Sequence, residues 1–300
     1  MDIASLIQEI KKKQSYLCVG LDTDADKLPL HLKGRKNAVA EFNKALIDAT
    51  KEYCVSYKIN TAFYESMGLQ GWQAMEETLD YIPHTHFSIA DAKRGDIGNT
   101  SAHYAKTFFE TLPFDAVTVN PYMGEDSIRP FLEYQDKVTI LLGLTSNKGA
   151  NDFELQRIAL SKKQKEMLTH SPQDQFILSE ENEKSNNEEK MPFLYEIVLE
   201  KAALWGTPDN MMFVAGATQV EQLASLRRIV PRHFLLVPGV GAQGGSLEEV
   251  SRNAMNNNCG LLVNASRAII YAGSGEDFTE KARDVARTYQ SEMAPFIQNL

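Results

Sequence analysis

Short apolar, β-branched runs recur along the chain, and most are followed by a stretch with apolar residues at helical spacing. The runs predict eight strands: Tyr16–Asp22, Val55–Thr61, His86–Lys93, Ala116–Tyr122, Val138–Thr145, Met211–Thr218, His233–Gly239 and Gly260–Ser266. Amphipathic stretches between them predict helices over Ala38–Thr50, Ser101–Thr111, Gln219–Ile229 and Leu247–Asn256. Strands that alternate with helices pair in parallel through crossovers. Eight such units favour one closed (β/α)8 barrel over an open doubly wound sheet.

The step between the fifth and sixth runs is far longer than the others. It contains a polar tract, Ser179-Glu180-Glu181-Asn182-Glu183-Lys184-Ser185-Asn186-Asn187-Glu188-Glu189-Lys190. Few aromatic or β-branched residues occur there, so the tract has little apolar area to bury. We read residues 148–191 as a polar insertion after strand 5, within a single barrel domain spanning 1–300. Its plain role is a surface excursion.

With 43% hydrophobic and 24% charged residues among 300, the chain reads as soluble and globular. No apolar stretch approaches a membrane span, and the amino terminus has no signal-peptide core. It predicts a short amphipathic helix ending in Lys11-Lys12-Lys13, where cations suit the helix dipole. The net charge of −9 argues against a nucleic-acid surface, so any anion must be held by a local cluster of donors. Cys18, Cys54 and Cys259 lack metal-site spacing and read as buried reduced thiols of a cytoplasmic protein.

In such a barrel the chemistry belongs to the carboxyl ends of the strands. Strand 3 runs into Asp91-Ala92-Lys93-Arg94-Gly95-Asp96, where Asp91 and Lys93, two apart, project to the same side. Charges at the end of a buried strand are costly to desolvate unless they pair, which favours a chemical role over a stabilising one. The other strand ends add Asp22, Lys58, Ser146 and Asn264 to the same face. Strand 7 enters Pro238-Gly239-Val240-Gly241-Ala242-Gln243-Gly244-Gly245, whose glycines let backbone N–H groups approach an anion. Ser246 with Glu249 has the spacing of a capping box, and Arg267 after strand 8 has the fork that grips phosphate. These features together predict a phosphate site between strands 7 and 8.

The blocks Asp-Ala-Lys-Arg-Gly-Asp-Ile-Gly, Pro-Gly-Val-Gly-Ala-Gln-Gly-Gly and Asn-Ala-Ser-Arg-Ala-Ile resemble the orotidine 5′-phosphate decarboxylase family, in its longer bacterial branch. The likeness runs from Leu17 to Ala272, and the tract from Ser161 to Lys190 has no assigned counterpart. The resemblance implies decarboxylation of orotidine monophosphate to uridine monophosphate in pyrimidine biosynthesis, without metal or organic cofactor. It implies Lys93 as proton donor, Asp91 beside the departing carboxylate and Lys58 completing an alternating Lys-Asp-Lys-Asp chain. Asp22 would bind ribose, Ser146 the pyrimidine edge, and Pro238, Gln243, Gly244 and Arg267 the phosphate end. It also implies a homodimer in which Asp96 and Thr100 cross to the neighbour's ribose.

Other readings compete. Asp22 can serve only as a turn initiator and Thr100 only as a helix cap. Arg94 reads as structural, His84 and His86 fall at the stability face of strand 3, and Trp72 and Trp205 read as covers on helices. Two rival functions are a magnesium-dependent sugar-phosphate enzyme with the same Asp-x-Lys-x-x-Asp motif, and a non-catalytic barrel that senses a phosphorylated ligand. The sensor would not need two inward lysines interleaved with acids.

Overall fold

The structure, a computed structural model, describes residues 1–161, 191–217, 220–241, 244–298 and 300. Its elements run α1 (Ile3–Lys13), β1 (Leu17–Gly20), α2 (Ala38–Thr50), β2 (Ser56–Asn60), α3 (Thr61–Glu65), α4 (Leu69–Tyr81), β3 (Phe87–Arg94), α5 (Gly98–Lys106), β4 (Ala116–Val119) and α6 (Glu125–Leu132). They continue with β5 (Val138–Leu144), α7 (Leu194–Ala202), β6 (Met211–Ala215), α8 (Val220–Ile229), β7 (Phe234–Pro238), α9 (Leu247–Ala254), β8 (Leu261–Ala265), α10 (Arg267–Ile270) and α11 (Phe278–Ile297).

Each strand pairs in parallel with the next, and β8 pairs with β1, which closes the expected (β/α)8 barrel. Strands walled by helices outside and side chains inside are buried on both faces, so they read as continuous apolar runs. Every residue of β1, β4, β6 and β8 is buried accordingly. Covering a side chain such as Phe213 contributes roughly 1.5–3 kcal/mol. Closure also needs one close approach: a Cβ on Gly20 would lie 1.9 Å from Ser266 Oγ, so only glycine lets the end of β1 reach the end of β8.

Most apolar runs outlast their ladders, because the residues at each carboxyl end turn into the loops that build the site. The expected helix over Ser101–Thr111 begins earlier, at Gly98, and its second half loosens into a π turn over Thr107–Thr111. Trp205 lies past the end of α7, in the following turn, and not on a helix; it still packs partly buried on the core. Ser246 Oγ accepts the Glu249 N–H at 3.2 Å, the N-cap half of the expected capping box, while Glu248 pairs with Arg252.

α1 lies across the amino-terminal mouth. Ile3, Leu6 and Ile10 are buried, and Lys13 Nζ donates to the carbonyls of Lys51 and Cys54 at 2.8 and 3.0 Å. The three cysteines are buried free thiols. Residues 162–190 of the expected insertion lie outside the described residues. Its described flank opens with a 3-10 turn, Lys148–Asp152, and Arg157 bridges Phe193 with its guanidinium 4.2 Å from the ring centre. Among the described residues no helix is long and apolar enough to cross a membrane.

Candidate active site

At the carboxyl ends of the strands a cavity of about 280 Å³ opens, lined among others by Asp22, Lys58, Asp91, Lys93, Pro238 and Arg267. Parallel register brings the charges in from three neighbouring strands: Gly20 stands beside Lys58, and Asn60 beside Asp91. Lys58 Nζ donates to Asp22 Oδ1 at 3.2 Å and to Asp91 Oδ2 at 2.8 Å. Lys93 Nζ donates to Asp91 Oδ1 at 2.6 Å. Asp22, Lys58, Asp91 and Lys93 thus form one alternating chain of charge.

Burial grades along this chain. The Lys58 side chain is 5% exposed and that of Asp91 10%, whereas Lys93 is 49% exposed at the open end. Burial alone would push the Lys58 ammonium down, but the carboxylates of Asp22 and Asp91 outweigh it and hold the group above its ordinary value. Burial likewise opposes ionisation of Asp91, yet Lys58 and Lys93 keep its carboxyl well below the usual range. Both groups are therefore charged, and the Lys93 ammonium is held beside Asp91 facing open space.

The β1 loop that carries Asp22 is braced from two sides. Tyr64 donates its hydroxyl to Leu21 O at 2.8 Å, and the Tyr271 hydroxyl accepts the Asp24 N–H at 2.8 Å. Asp24, not Asp22, caps the short turn that follows, accepting the Asp26 N–H, so the turn-initiator role falls on the neighbour.

The β7 loop folds back on itself through Gly241 N–H to Gly245 O at 2.9 Å and Gly245 N–H to Gly239 O at 3.2 Å. Gly239 sits at φ +97° and Gly244 at +90°, values that L side chains rarely adopt. Pro238 and Gly239 line the cavity together with exposed Arg267, which opens α10 on the adjoining strand end. Gly244 lies outside the lining, and Gln243 lies outside the described residues.

Not every expected residue converges. Ser146 follows β5 at the rim, outside the cavity lining, with its backbone packed so tightly on Gly216 that a Cβ there would meet Ser146 N at 2.8 Å. Asp96 and Thr100 also stand away from the cavity of their own chain. Asp96 Oδ1 accepts the Ile97 N–H at 2.8 Å, and Thr100 is exposed in the first turn of α5. Arg94 is structural as expected: it pairs with Glu65 and lies 5.4 Å from the ring centres of Tyr104 and Phe108. His86 sits at the amino end against Lys13 and the Lys51 carbonyl. Sequence reasoning missed Thr118, whose hydroxyl donates to Asp91 Oδ1 at 3.0 Å, and it gave no role to Asn60 or Asn264, which line the cavity.

A closed parallel barrel with a charge chain at the carboxyl ends of its strands, beside a glycine loop and an arginine, has the layout of the (β/α)8 enzymes. Residues 15–282 match the orotidine 5′-phosphate decarboxylase / HUMPS family, and the chain belongs to it. Orotidine 5′-phosphate decarboxylase of Phocaeicola vulgatus is 52% identical over 296 residues, 98% of either chain. The protein of the same name from Christiangramia forsetii is 49% identical over the whole of both chains. Among solved structures, the Leishmania donovani OMP decarboxylase superimposes with a TM-score of 0.73 at 32% identity, covering 97% of this chain and 99% of that one.

Proposed function

We propose that this site converts orotidine monophosphate to uridine monophosphate and carbon dioxide, with Lys93 as the proton donor. The observation that carries the reading is the alternating chain Asp22–Lys58–Asp91–Lys93 ending in an ammonium that faces the cavity. Loss of carbon dioxide breaks the bond between ring carbon 6 and the carboxyl carbon and leaves the electron pair on carbon 6. The Lys93 ammonium is the positive charge nearest that carbanion, and it transfers its proton there to give the product; solvent reprotonates the half-exposed amine. Asp91 holds Lys93 in place, and Lys58 and Asp22 take the ribose hydroxyls. Arg267, with Pro238, Gly244 and Gln243 of the β7 loop, takes the phosphate, and Ser146 the pyrimidine edge. Energy from binding that remote dianion is available to close the loop and lower the barrier.

The working unit in this reading is a homodimer in which the partner subunit's Asp96 and the partner subunit's Thr100 complete the ribose site. Two features support it. Asp96 and Thr100 do not reach the cavity of their own chain. The loops after β3 and β4 expose Ile97, next to Asp96 in the chain, and Tyr122 and Met123, apolar side chains suited to a protein contact. A two-fold interface would carry this patch to the neighbouring site and receive its equivalent in return.

The test is the loss of ultraviolet absorbance of orotidine monophosphate with purified protein in EDTA. Turnover that persists in chelator supports the reading. No consumption of orotidine monophosphate, with magnesium-dependent turnover of a sugar phosphate in its place, would transfer the site to the metal-dependent sugar-phosphate enzymes.

A further inference from the structure

We propose that Thr118 is a positioning residue for this reaction, its hydroxyl tying the backbone of Lys93 to the carboxylate of Asp91; the proposal rests on the reading of Lys93 above. Thr118 is fully buried in the middle of β4, the single hydroxyl in the run Ala116-Val117-Thr118-Val119. The ladder between β3 and β4 shifts register there. Ala90 stands opposite Val117 and Arg94 opposite Val119, so Asp91, Ala92 and Lys93 share one opposing residue, Thr118. Such a bulge re-aims side chains and takes amides out of the ladder.

Lys93 shows the consequence. Its backbone sits at φ +45°, the left-handed region that a residue with a Cβ disfavours. Its N–H donates at 2.9 Å to Thr118 Oγ1 in place of a ladder carbonyl. An amide can only donate and the ionised Asp91 can only accept, so the one hydroxyl proton of Thr118 is committed to Asp91 Oδ1, at 3.0 Å. That oxygen also receives Lys93 Nζ at 2.6 Å. A small ring results: Lys93 amide to Thr118, Thr118 to Asp91, Asp91 to the Lys93 ammonium. It fixes both ends of the proton donor, the backbone and the tip.

Removing the hydroxyl leaves the bulge amide without its acceptor and takes from Asp91 Oδ1 its fixed donor, leaving that oxygen to the mobile ammonium while Lys58 holds only Oδ2. The ammonium then wanders from the position where carbon 6 must be protonated, and displacement by about 1 Å costs on the order of 10²-fold in rate. Ground-state binding of the nucleotide runs through Asp22, Lys58 and Arg267 and is untouched.

The experiment compares Thr118→Val, which keeps the shape, Thr118→Ala, which cannot clash, and Thr118→Ser, which restores the hydroxyl, with thermal melts recorded beside the kinetics. We expect kcat to fall about 10- to 100-fold in the Val and Ala variants, KM for orotidine monophosphate to stay within roughly threefold, and Ser to recover most of kcat. A Val or Ala variant that keeps kcat within about twofold, a Ser variant as slow as Val, or a loss carried by KM would overturn the proposal. Inactivity of the parent protein would overturn the assignment of Lys93 and this proposal with it; an active parent with unaffected variants overturns this proposal alone.

Discussion

Lys58 and Arg227 are both buried cations, 4% and 9% exposed, yet they are satisfied in opposite ways at opposite ends of the barrel. At the amino end, Arg227 gives its donors to the carbonyls of Ala254, Val230, His233 and Gly260 at 2.6 to 2.9 Å. Lys13 does the same with two carbonyls. Backbone carbonyls carry no titratable charge, so these cations tie down the connections that enter β7, β8 and β2. At the carboxyl end Lys58 faces two carboxylates, and the chain of charge terminates in a group left open to the cavity. Each of these buried charges is kept ionised by an opposite charge, so removing one partner leaves the other uncompensated. In the proposed reading, the contrast separates charges kept for the fold from charges kept for chemistry.

Four changes would break or sharpen that contrast, beginning with the largest. Lys58→Met should cut turnover of orotidine monophosphate per folded molecule by about 10³-fold, as loss of a preorganised charge in a buried site does, and should also lower the urea midpoint because buried Asp91 loses a partner. Turnover per folded molecule that stays within about tenfold of the parent would place Lys58 with the fold. Next, Lys93→Ala and Asp96→Ala, each inactive alone, should recover roughly a quarter of parental turnover when mixed and allowed to re-pair, since half of the dimers are hybrid and each hybrid carries one intact site. No recovery would confine the site to one chain.

At the other end, Arg227→Met should lose about 3 kcal/mol or more of stability in urea, because several buried carbonyls lose their donor together, with kcat per folded molecule unchanged. The smallest effect is set by pH. Burial, then Lys13, holds the His86 imidazole down to about 4, and burial, then Arg227 and Arg232, does the same for His233, also to about 4. The unfolded chain takes up these protons near 6.5 and the folded one does not, so stability is complete above that value. It should fall by roughly 1–3 kcal/mol per histidine as pH drops from 6.5 to about 4, then level. Melting curves of His86→Gln should be flatter across that window.

Much of this was legible in sequence, for reasons that differ by residue. Parallel strands buried on both faces stand out as unbroken apolar runs, and α2 occupies the predicted Ala38–Thr50 because its apolar spacing and its turns agree. Asp91 and Lys93 could be paired from their spacing, and Asp22, Lys58, Pro238 and Arg267 from their places at strand ends. Thr118 was hidden because a threonine inside a strand is ordinary, and its role arises only from a register shift between two strands. Ser146 was placed by its strand end and by the resemblance, and neither foresees its tight backbone packing on Gly216 outside the cavity lining. In the proposed homodimer, Asp96 and Thr100 carry a signal whose meaning depends on a second copy of the chain.

The most direct measurement takes one preparation of Lys93→Ala and records turnover, uridine monophosphate affinity and the urea midpoint together. The account predicts turnover lowered by about 10³-fold or more, with the nucleotide still bound and the midpoint little changed, because Lys93 is half-exposed and Asp91 keeps Lys58. Turnover within about tenfold of the parent would contradict it, for then the open end of the charge chain is not the source of the proton.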